Sequence, residues 1–365
     1  MRRIKFLMVG GFLGAGKTTT IGKLASHFQS NGQSVGIVTN DQAYDLVDTH
    51  TLRSQGFQVG EVPGACFCCK FDDLIATVSE LSEQKLPDIV IAEPVGSCTD
   101  LYATVIEPMH QLFGDRFELG PLIVLLKPEH GKKILSDGGG RGFSPQAEYI
   151  FLKQLEEADA IAINKIDKLS EADQANLMEL LSNRFKGVDC FGISARDGTN
   201  FDKLVAATEQ PRKKSKPMMD VDYETYAIGE AELGWLNCQV TASSEEKFEL
   251  DEVVLNLTSE IGNVLTARGF EIAHLKLLGQ TLENAAVANR VSSASAAELS
   301  LASQIKTTQA DLLVNARVAA EPDDMVEIVN AAASKIMGEI KVKLEVKNVQ
   351  SFRPGKPQPT HRVSD

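Results

Sequence analysis

The segment GFLGAGKT, residues 11–18, stands between an apolar run typical of a strand and a stretch with helical periodicity. It fits the pattern G-x-x-x-x-G-K-[ST], whose glycines let backbone amides wrap around phosphate groups at the start of a helix. Lys17 is then placed to reach the terminal phosphates, and the Thr18 hydroxyl to ligate Mg²⁺. The flanking strand and helix argue against a chance glycine-rich turn. The predicted phosphate-binding loop comprises Gly11, Gly14, Ala15, Gly16, Lys17, Thr18 and Thr19.

Apolar runs of strand length alternate with longer amphipathic stretches over residues 1–208. The runs are IKFLMVG, VGIVT, DIVIA, PLIVLL and DAIAI. Such alternation predicts an α/β domain with a mostly parallel sheet flanked by helices. Combined with the phosphate-binding loop, it indicates a P-loop NTPase fold.

The remainder of the chain has a different pattern. The aperiodic segment EQPRKKSKPMMD, residues 209–220, is the expected linker. Strand-like runs at 236–242 and 314–320 each lead into a helical stretch, so we expect a smaller α+β domain over 221–349, with a ferredoxin-like fold as the favoured arrangement. Residues 291–309 are low in strand signal and are expected to form a loop or a short helix. The polar tail 350–365 is expected to be disordered.

Asn164, Lys165 and Asp167 end the apolar run DAIAI in the pattern N-K-x-D of guanine-binding proteins. The Asp167 carboxylate can accept hydrogen bonds from guanine N1 and its exocyclic amine, a donor pair that adenine lacks. An ordinary helix start with Asp167 near the cap is the alternative. Ser194 and Ala195, in GISARDG, are expected to back the guanine through main-chain contacts, although a plain turn explains them equally well.

Acidic residues follow two further strands. Asp41 ends VTND and Glu93 lies in IAEPVG, both at the carboxyl ends of predicted strands, where ligands of open α/β sheets bind. We expect Lys17, Asp41 and Glu93 to be the catalytic residues, with Asp41 also on Mg²⁺ and Gly96 sensing the γ-phosphate. A solvated strand end is the alternative for each carboxylate.

The net charge indicates which partners the protein can bind, and the apolar runs indicate in which compartment it is expected. A net charge of −13 and an isoelectric point near 5.1 argue against a nucleic-acid partner. The N-terminal apolar run leads directly into the phosphate loop, so we interpret it as a strand and not a targeting signal. Apolar runs are too short for a membrane span. We therefore expect a cytoplasmic protein with reduced thiols.

Three of the six cysteines, Cys66, Cys68 and Cys69, follow a Pro-Gly turn. Soft thiolates at this spacing suit a transition metal such as Zn²⁺ or Cu(I), and borderline Co²⁺ or Ni²⁺. Three ligands leave a fourth position for water, for Cys98, or for a residue of a second subunit. Buried structural thiols and a reversible disulfide remain alternatives for the trio, and a small buried thiol is the alternative for Cys98.

The motifs GGFLGAGKTTT, VTND, GACFCC, EPVG, LKQLEEADAIAINKID and SARDG occur in this order. Over residues 4–208 they resemble the CobW-type P-loop GTPases, kin to the nickel-insertion GTPases of urease and hydrogenase maturation. The resemblance implies GTP and Mg²⁺ as cofactors and a metal, Zn²⁺ or Co²⁺, on the C-x-C-C loop. It also implies delivery of the metal to a client metalloprotein. Because the motifs contain no evident arginine finger, we expect GTP hydrolysis to be slow without a partner and to be activated by a partner or by a nucleotide-dependent homodimer.

Two other functions remain open at this stage. One is a GTP-gated docking module for a cobalamin-related or other metalloenzyme, in which the metal is only structural. The other is a thiol-redox sensor with a GTPase core, which predicts a disulfide within the cysteine trio and no stoichiometric metal.

Overall fold

The computed structural model describes residues 3–43, 46–84, 86–136, 144–212 and 217–364. The chain divides into two compact units. The first comprises Met1–Gln42, Gly56–Gly229 and Lys356–Asp365, and the second comprises Ala43–Gln55 and Glu230–Gly355.

The first unit is built on a seven-stranded parallel sheet in the order β3-β2-β4-β1-β5-β6-β7. Its strands are β1 (Ile4–Gly11), β2 (Val35–Asp41), β3 (Gln58–Pro63), β4 (Ile89–Glu93), β5 (Phe117–Leu126), β6 (Ala160–Ile163) and β7 (Asp189–Gly192). Strand β4, in the interior of the sheet, is buried along its whole length, as expected for a parallel sheet covered on both faces. This sheet confirms the predicted α/β fold class.

Nine helices lie between or after these strands in the described part of the chain. They are α1 (Lys17–Ser30), α2 (Val47–Ser54), α3 (Phe71–Gln84), α4 (Glu107–Phe113), α5 (Pro128–Leu135), α6 (Pro145–Glu157), α7 (Glu171–Arg184), α8 (Phe201–Glu209) and α9 (Tyr223–Ala231). Side-chain caps start two of them: Ser144 accepts from the Ala147 N–H before α6, and Ser170 accepts from the Asp173 N–H before α7. A π-helical turn, Tyr102–Ile106, precedes α4, and a 3₁₀ turn, Ile166–Lys168, follows β6.

The second unit contains a six-stranded antiparallel sheet in the order β11-β10-β9-β12-β8-β13. Its elements are β8 (Gly234–Glu249), α10 (Leu250–Ala267), β9 (Ile272–Gln280), β10 (Ala285–Arg290), β11 (Glu298–Leu301), β12 (Lys306–Val318), α11 (Pro322–Ile340) and β13 (Lys343–Phe352). Strands β8, β9, β12 and β13 with α10 and α11 follow the order β-α-β-β-α-β, which is the expected ferredoxin-like arrangement. The hairpin β10–β11 extends the sheet beyond β9.

A piece of the N-terminal half belongs to this second unit. Helix α2 packs on the sheet through Val47, which forms an apolar cluster with Leu278, Val287 and Leu313. The Val47 N–H also donates to Asn315 Oδ1 at 2.8 Å. These contacts explain why Ala43–Gln55 groups with the C-terminal sheet although it connects β2 to β3.

Several sequence-based boundaries differ from the structure. The second unit begins at Glu230 and not at 221, because most of α9 belongs to the first unit. The tail 350–365 is not disordered over its described residues, since β13 runs to Phe352 and the following segment is hydrogen-bonded. Residues 291–309 contain β11 and the start of β12. Within the predicted linker, 213–216 lie outside the described residues.

Among the helices described here, none combines the length and apolar character needed to span a bilayer.

Candidate functional site

The phosphate-binding loop has the backbone that its glycines allow. Gly11, Gly14 and Gly16 have φ values of 131°, 74° and 91°, in the left-handed region that favours glycine. A Cβ on Gly16 would also lie 2.5 Å from Asn164 Nδ2, so this position accepts no larger residue without displacement. Ala15 is fully buried. The loop is thus held in a tight turn at the start of α1, with no Cβ at three of its positions.

Polar side chains converge beside this loop. Lys17 is 8% exposed and its Nζ donates to the Gly11 carbonyl at 2.9 Å. The Thr18 hydroxyl donates to Glu93 Oε1 at 3.2 Å. A Cβ on Gly96 would lie 3.1 Å from Lys17 Nζ, which puts the loop after β4 against the lysine.

Two further predicted residues flank this arrangement. Asp41 is half-buried at the end of β2, the strand paired with β4. Thr19 is exposed in the first turn of α1. The hydroxyl of Thr18 and the carboxylates of Asp41 and Glu93 are the oxygen ligands that Mg²⁺ prefers, so the donor set fits that ion.

Asn164 connects the predicted guanine loop to the phosphate loop. Its Nδ2 donates to the Ala15 carbonyl at 2.8 Å, and its Oδ1 accepts from the Ala195 N–H at 3.0 Å. Lys165 Nζ donates to the Gly14 carbonyl at 2.8 Å. These contacts bring together three segments far apart in sequence.

The other residues of the predicted base site lie after β6 and after β7. Asp167 is exposed in the 3₁₀ turn after β6, and Ser194 is fully buried with its Oγ accepting from the Asp197 N–H. The sequence analysis missed Lys23, whose Nζ donates to the Ala195 carbonyl at 3.3 Å. Its position in the middle of α1 carries no motif signal.

The three clustered cysteines lie on one turn between β3 and α3. Their sulfur atoms are within 4.8 Å of one another, with Cys66–Cys68 at 2.9 Å, Cys66–Cys69 at 3.3 Å and Cys68–Cys69 at 3.7 Å. The Cys69 N–H donates to the Cys66 carbonyl, a turn that brings the third thiol to the first two. Zn–S bonds of about 2.3 Å require sulfur separations of about 3.8 Å in a tetrahedral site, so a small outward shift fits the trio to Zn²⁺.

The hydrogen bonds between these thiols lower the pKa of one thiol and raise the pKa of the other two. Bonds from Cys68, Cys69 and Cys98 stabilise the thiolate of Cys66 and hold its pKa well below the usual range. The bond to Cys66 raises the pKa of Cys68, and a similar bond raises the pKa of Cys69 to about 11. All six cysteines of the chain are free thiols.

Asn40, at the end of β2, holds the cysteine turn in place. Its Nδ2 donates to the carbonyls of Val62 and Ala65, both at 2.7 Å, and its Oδ1 accepts from the Phe67 N–H at 2.8 Å. The sequence analysis noted only its neighbour Asp41. An amide directly after a buried strand is the signal that was available, but its partners lie more than 20 positions away.

Gln154 is a second residue that the sequence analysis missed. From α6 its Nε2 donates to the carbonyls of Gly96 and Cys98 at 2.9 and 2.8 Å. It is 3% exposed, so the loop after β4 is fixed at both residues by one buried amide.

Comparison with known proteins identifies the same region. The family model described as CobW/HypB/UreG, nucleotide-binding domain, matches residues 5–189. Zinc chaperone YeiR of Escherichia coli (strain K12) is 29% identical over 176 residues, which cover 46% of this chain and 48% of YeiR. Zinc chaperone CobW of a Sinorhizobium species is 33% identical over 102 residues, covering 26% and 28% of the two chains. The match thus spans about half of YeiR or less than a third of this CobW.

Solved structures with a similar fold include Zn(II)-bound YjiA GTPase from E. coli, with a TM-score of 0.40 and 13% identity over 91% of this chain and 99% of that one. HypB from Helicobacter pylori in complex with nickel has a TM-score of 0.43 and 19% identity, covering 59% of this chain and 92% of that one.

Proposed function

The chain belongs to the CobW/HypB/UreG family of nucleotide-binding proteins, and on that premise we propose that it is a GTP-hydrolysing metallochaperone. Its cargo is a transition metal, with zinc favoured over cobalt, held by Cys66, Cys68 and Cys69. It delivers this metal to a client metalloprotein in a nucleotide-dependent way. The names of the zinc chaperone relatives support zinc as the cargo.

The observation that carries this proposal is the loop that follows β4. Glu93, at its start, accepts the Thr18 hydroxyl, and Gly96 lies against Lys17. Further along this loop, Asp100 Oδ2 accepts from Arg362 Nε at 2.7 Å, and the segment that carries Arg362 donates to Cys69 Sγ through the Gln358 N–H. The loop is therefore connected to both the phosphate site and the metal site, which is the physical link that nucleotide-controlled metal release requires.

The residues around the phosphates have distinct roles in the proposed hydrolysis. Lys17 exchanges its bond with the Gly11 carbonyl for one with the terminal phosphates. Thr18 and Asp41 bind Mg²⁺, which neutralises phosphate charge when it is present with the nucleotide. Glu93 orients the attacking water, and the Gly96 N–H senses the γ-phosphate.

Guanine recognition uses the opposite end of the phosphate loop. The exposed carboxylate of Asp167 accepts from guanine N1 and the exocyclic amine, while Asn164 keeps the base loop attached to the phosphate loop. Ser194 and Ala195 support the base through the main chain. Because a hydrogen-bonding pocket rejects a base that leaves its groups unpaired, GTP is preferred over ATP.

We expect slow turnover in the isolated protein, because the phosphate-binding motifs contain no arginine that could neutralise the transition state, and we expect activation by a client or by a second copy in a homodimer. The cytoplasm, which keeps thiols reduced, is the proposed compartment.

The test is Zn²⁺ and Co²⁺ affinity, measured by competition with a chromophoric chelator in the apo, GDP-bound and non-hydrolysable-GTP-bound forms. We expect at least a tenfold difference between nucleotide states, a coupling of about 1.4 kcal/mol. The double variant Cys66→Ser/Cys68→Ser serves as the control and should lose the high-affinity site.

Other results point to the two alternative functions. Equal metal affinity in every state, with metal that a chelator removes only on unfolding, indicates a GTP-gated docking module with a structural metal. A disulfide among the three cysteines and no stoichiometric metal indicates a thiol-redox sensor.

A further inference from the structure

Residues 356–364, which we call the C-terminal strap, contact the turn that carries the three clustered cysteines. The Gln358 N–H donates to Cys69 Sγ at 3.2 Å, and the Thr360 N–H donates to the Cys68 carbonyl at 2.8 Å. The Thr360 hydroxyl donates to the Cys69 carbonyl at 3.0 Å. The strap thus bonds to one metal-binding sulfur and to the backbone of two of the motif's residues.

An ion pair anchors the far end of the strap. Arg362 Nε donates to Asp100 Oδ2 at 2.7 Å, and the Asp100 side chain is 1% exposed. The same oxygen accepts the Tyr223 hydroxyl at 2.8 Å, and the Val363 N–H donates to the Ala103 carbonyl at 2.9 Å. Asp100 lies two residues after Cys98, so the anchor shares the loop that contacts the phosphate site.

We infer that the C-terminal strap closes the metal site and must be displaced before the metal can leave. This rests on the proposed function. The anchor at Asp100 sits on the nucleotide-contacting loop, so a shift of that loop weakens the Arg362 contact and frees the strap. The Gln358 N–H bond to Cys69 stabilises the thiolate while the site is closed.

The rate of Zn²⁺ extraction from the loaded protein by a chromophoric chelator tests this inference. Arg362→Ala, and a chain ending at Gly355, should release zinc at least tenfold faster than the intact chain. Arg353→Ala is the matched control, since Arg353 pairs with Glu321 in the second unit and has the same 33% side-chain exposure as Arg362.

Equal extraction rates for the intact chain, Arg362→Ala and the shortened chain overturn the strap's role. A wild-type protein that binds no zinc contradicts the proposed function itself, and with it the strap. Equilibrium unfolding of each variant separates faster release from general loss of stability.

Discussion

Substitution of Asn40 tests how the cysteine turn is held in place. The Asn40 side chain is 6% exposed and makes three hydrogen bonds: it donates to the carbonyls of Val62 in β3 and Ala65 in the turn, and it accepts from the Phe67 N–H. In Asn40→Ala all three backbone groups lose this partner. The turn that carries Cys66, Cys68 and Cys69 then loses its side-chain bonds to β2, although the backbone pairing of β2 with β3 remains.

The magnitude follows from these three contacts. A hydrogen bond contributes about 1 kcal/mol net, and a buried group left without a partner costs about 1–3 kcal/mol. Asn40→Ala should therefore lower the free energy of unfolding by about 3–5 kcal/mol, less if water reaches the vacated groups. Because the free energy of unfolding of a folded domain is roughly 5–15 kcal/mol, the variant should remain folded at 25 °C.

The assay combines urea unfolding, followed by circular dichroism, with zinc competition on the same samples. Zinc affinity should fall at least tenfold, because the three thiols must be ordered at the moment of binding. Asn40→Asp keeps the acceptor for Phe67 but loses both donors, and should be at least as destabilised. Asn31→Ala, which changes an exposed asparagine at the end of α1, should shift stability by less than about 0.5 kcal/mol. A loss below about 1 kcal/mol in Asn40→Ala, with unchanged zinc affinity, refutes this reasoning.

Three further outcomes are expected. Gly16→Ala forces a Cβ against Asn164 Nδ2 at a φ of 91°. GTP affinity, measured by calorimetry, should therefore fall at least tenfold. Unchanged affinity would contradict the tight conformation of the phosphate-binding loop. Burial raises the pKa of Glu157 to about 8 from 4.5. The folded state therefore binds the extra proton, and stability should fall as pH rises through this window, by about 2–3 kcal/mol between pH 6 and 8. Glu157→Gln should flatten that slope in urea titrations, and an equally steep slope would count against it. Because hydrogen bonds to Cys66 raise the pKa of Cys68 and of Cys69, zinc binding at pH 7 should release at least two protons. Calorimetry in buffers of different ionisation enthalpy measures this release; affinity should fall with falling pH, and the absence of proton release would contradict the assignment.

Local patterns predicted the parts of the site that local forces determine. The glycines of residues 11–18 have the backbone that the motif requires, and the strand ends place Asp41 and Glu93 on paired strands. The cysteine spacing predicted a cluster, but alternation along an extended strand would separate Cys68 from Cys69. The turn closed by Cys69 N–H and Cys66 O brings them together.

Long-range contacts account for what the sequence did not reveal. Asn40 and Gln154 act on loops 25 and 58 positions away, and no local preference encodes such partners. The tail was expected to be disordered because its prolines and polar residues disfavour regular structure. Its order comes instead from bonds to residues 289 and 291 positions earlier in the chain. Side-chain hydrogen bonds to the backbone can order a segment that has no helical or strand propensity.

The assignment of Ala43–Gln55 to the second unit has a consequence for the inheritance of this fold. The second unit consists of two chain segments, Ala43–Gln55 and Glu230–Gly355, and the last ten residues return to the first unit. A fragment that begins at Val221 carries the whole antiparallel sheet but lacks Val47, so Leu278, Val287 and Leu313 lose their apolar cover. Gene fusion at a single junction therefore cannot transfer this unit intact to another protein. The chain passes between the two units four times, at 42/43, 55/56, 229/230 and 355/356. Recombination would have to preserve all four of these junctions, and for this reason we expect the two units to diverge together.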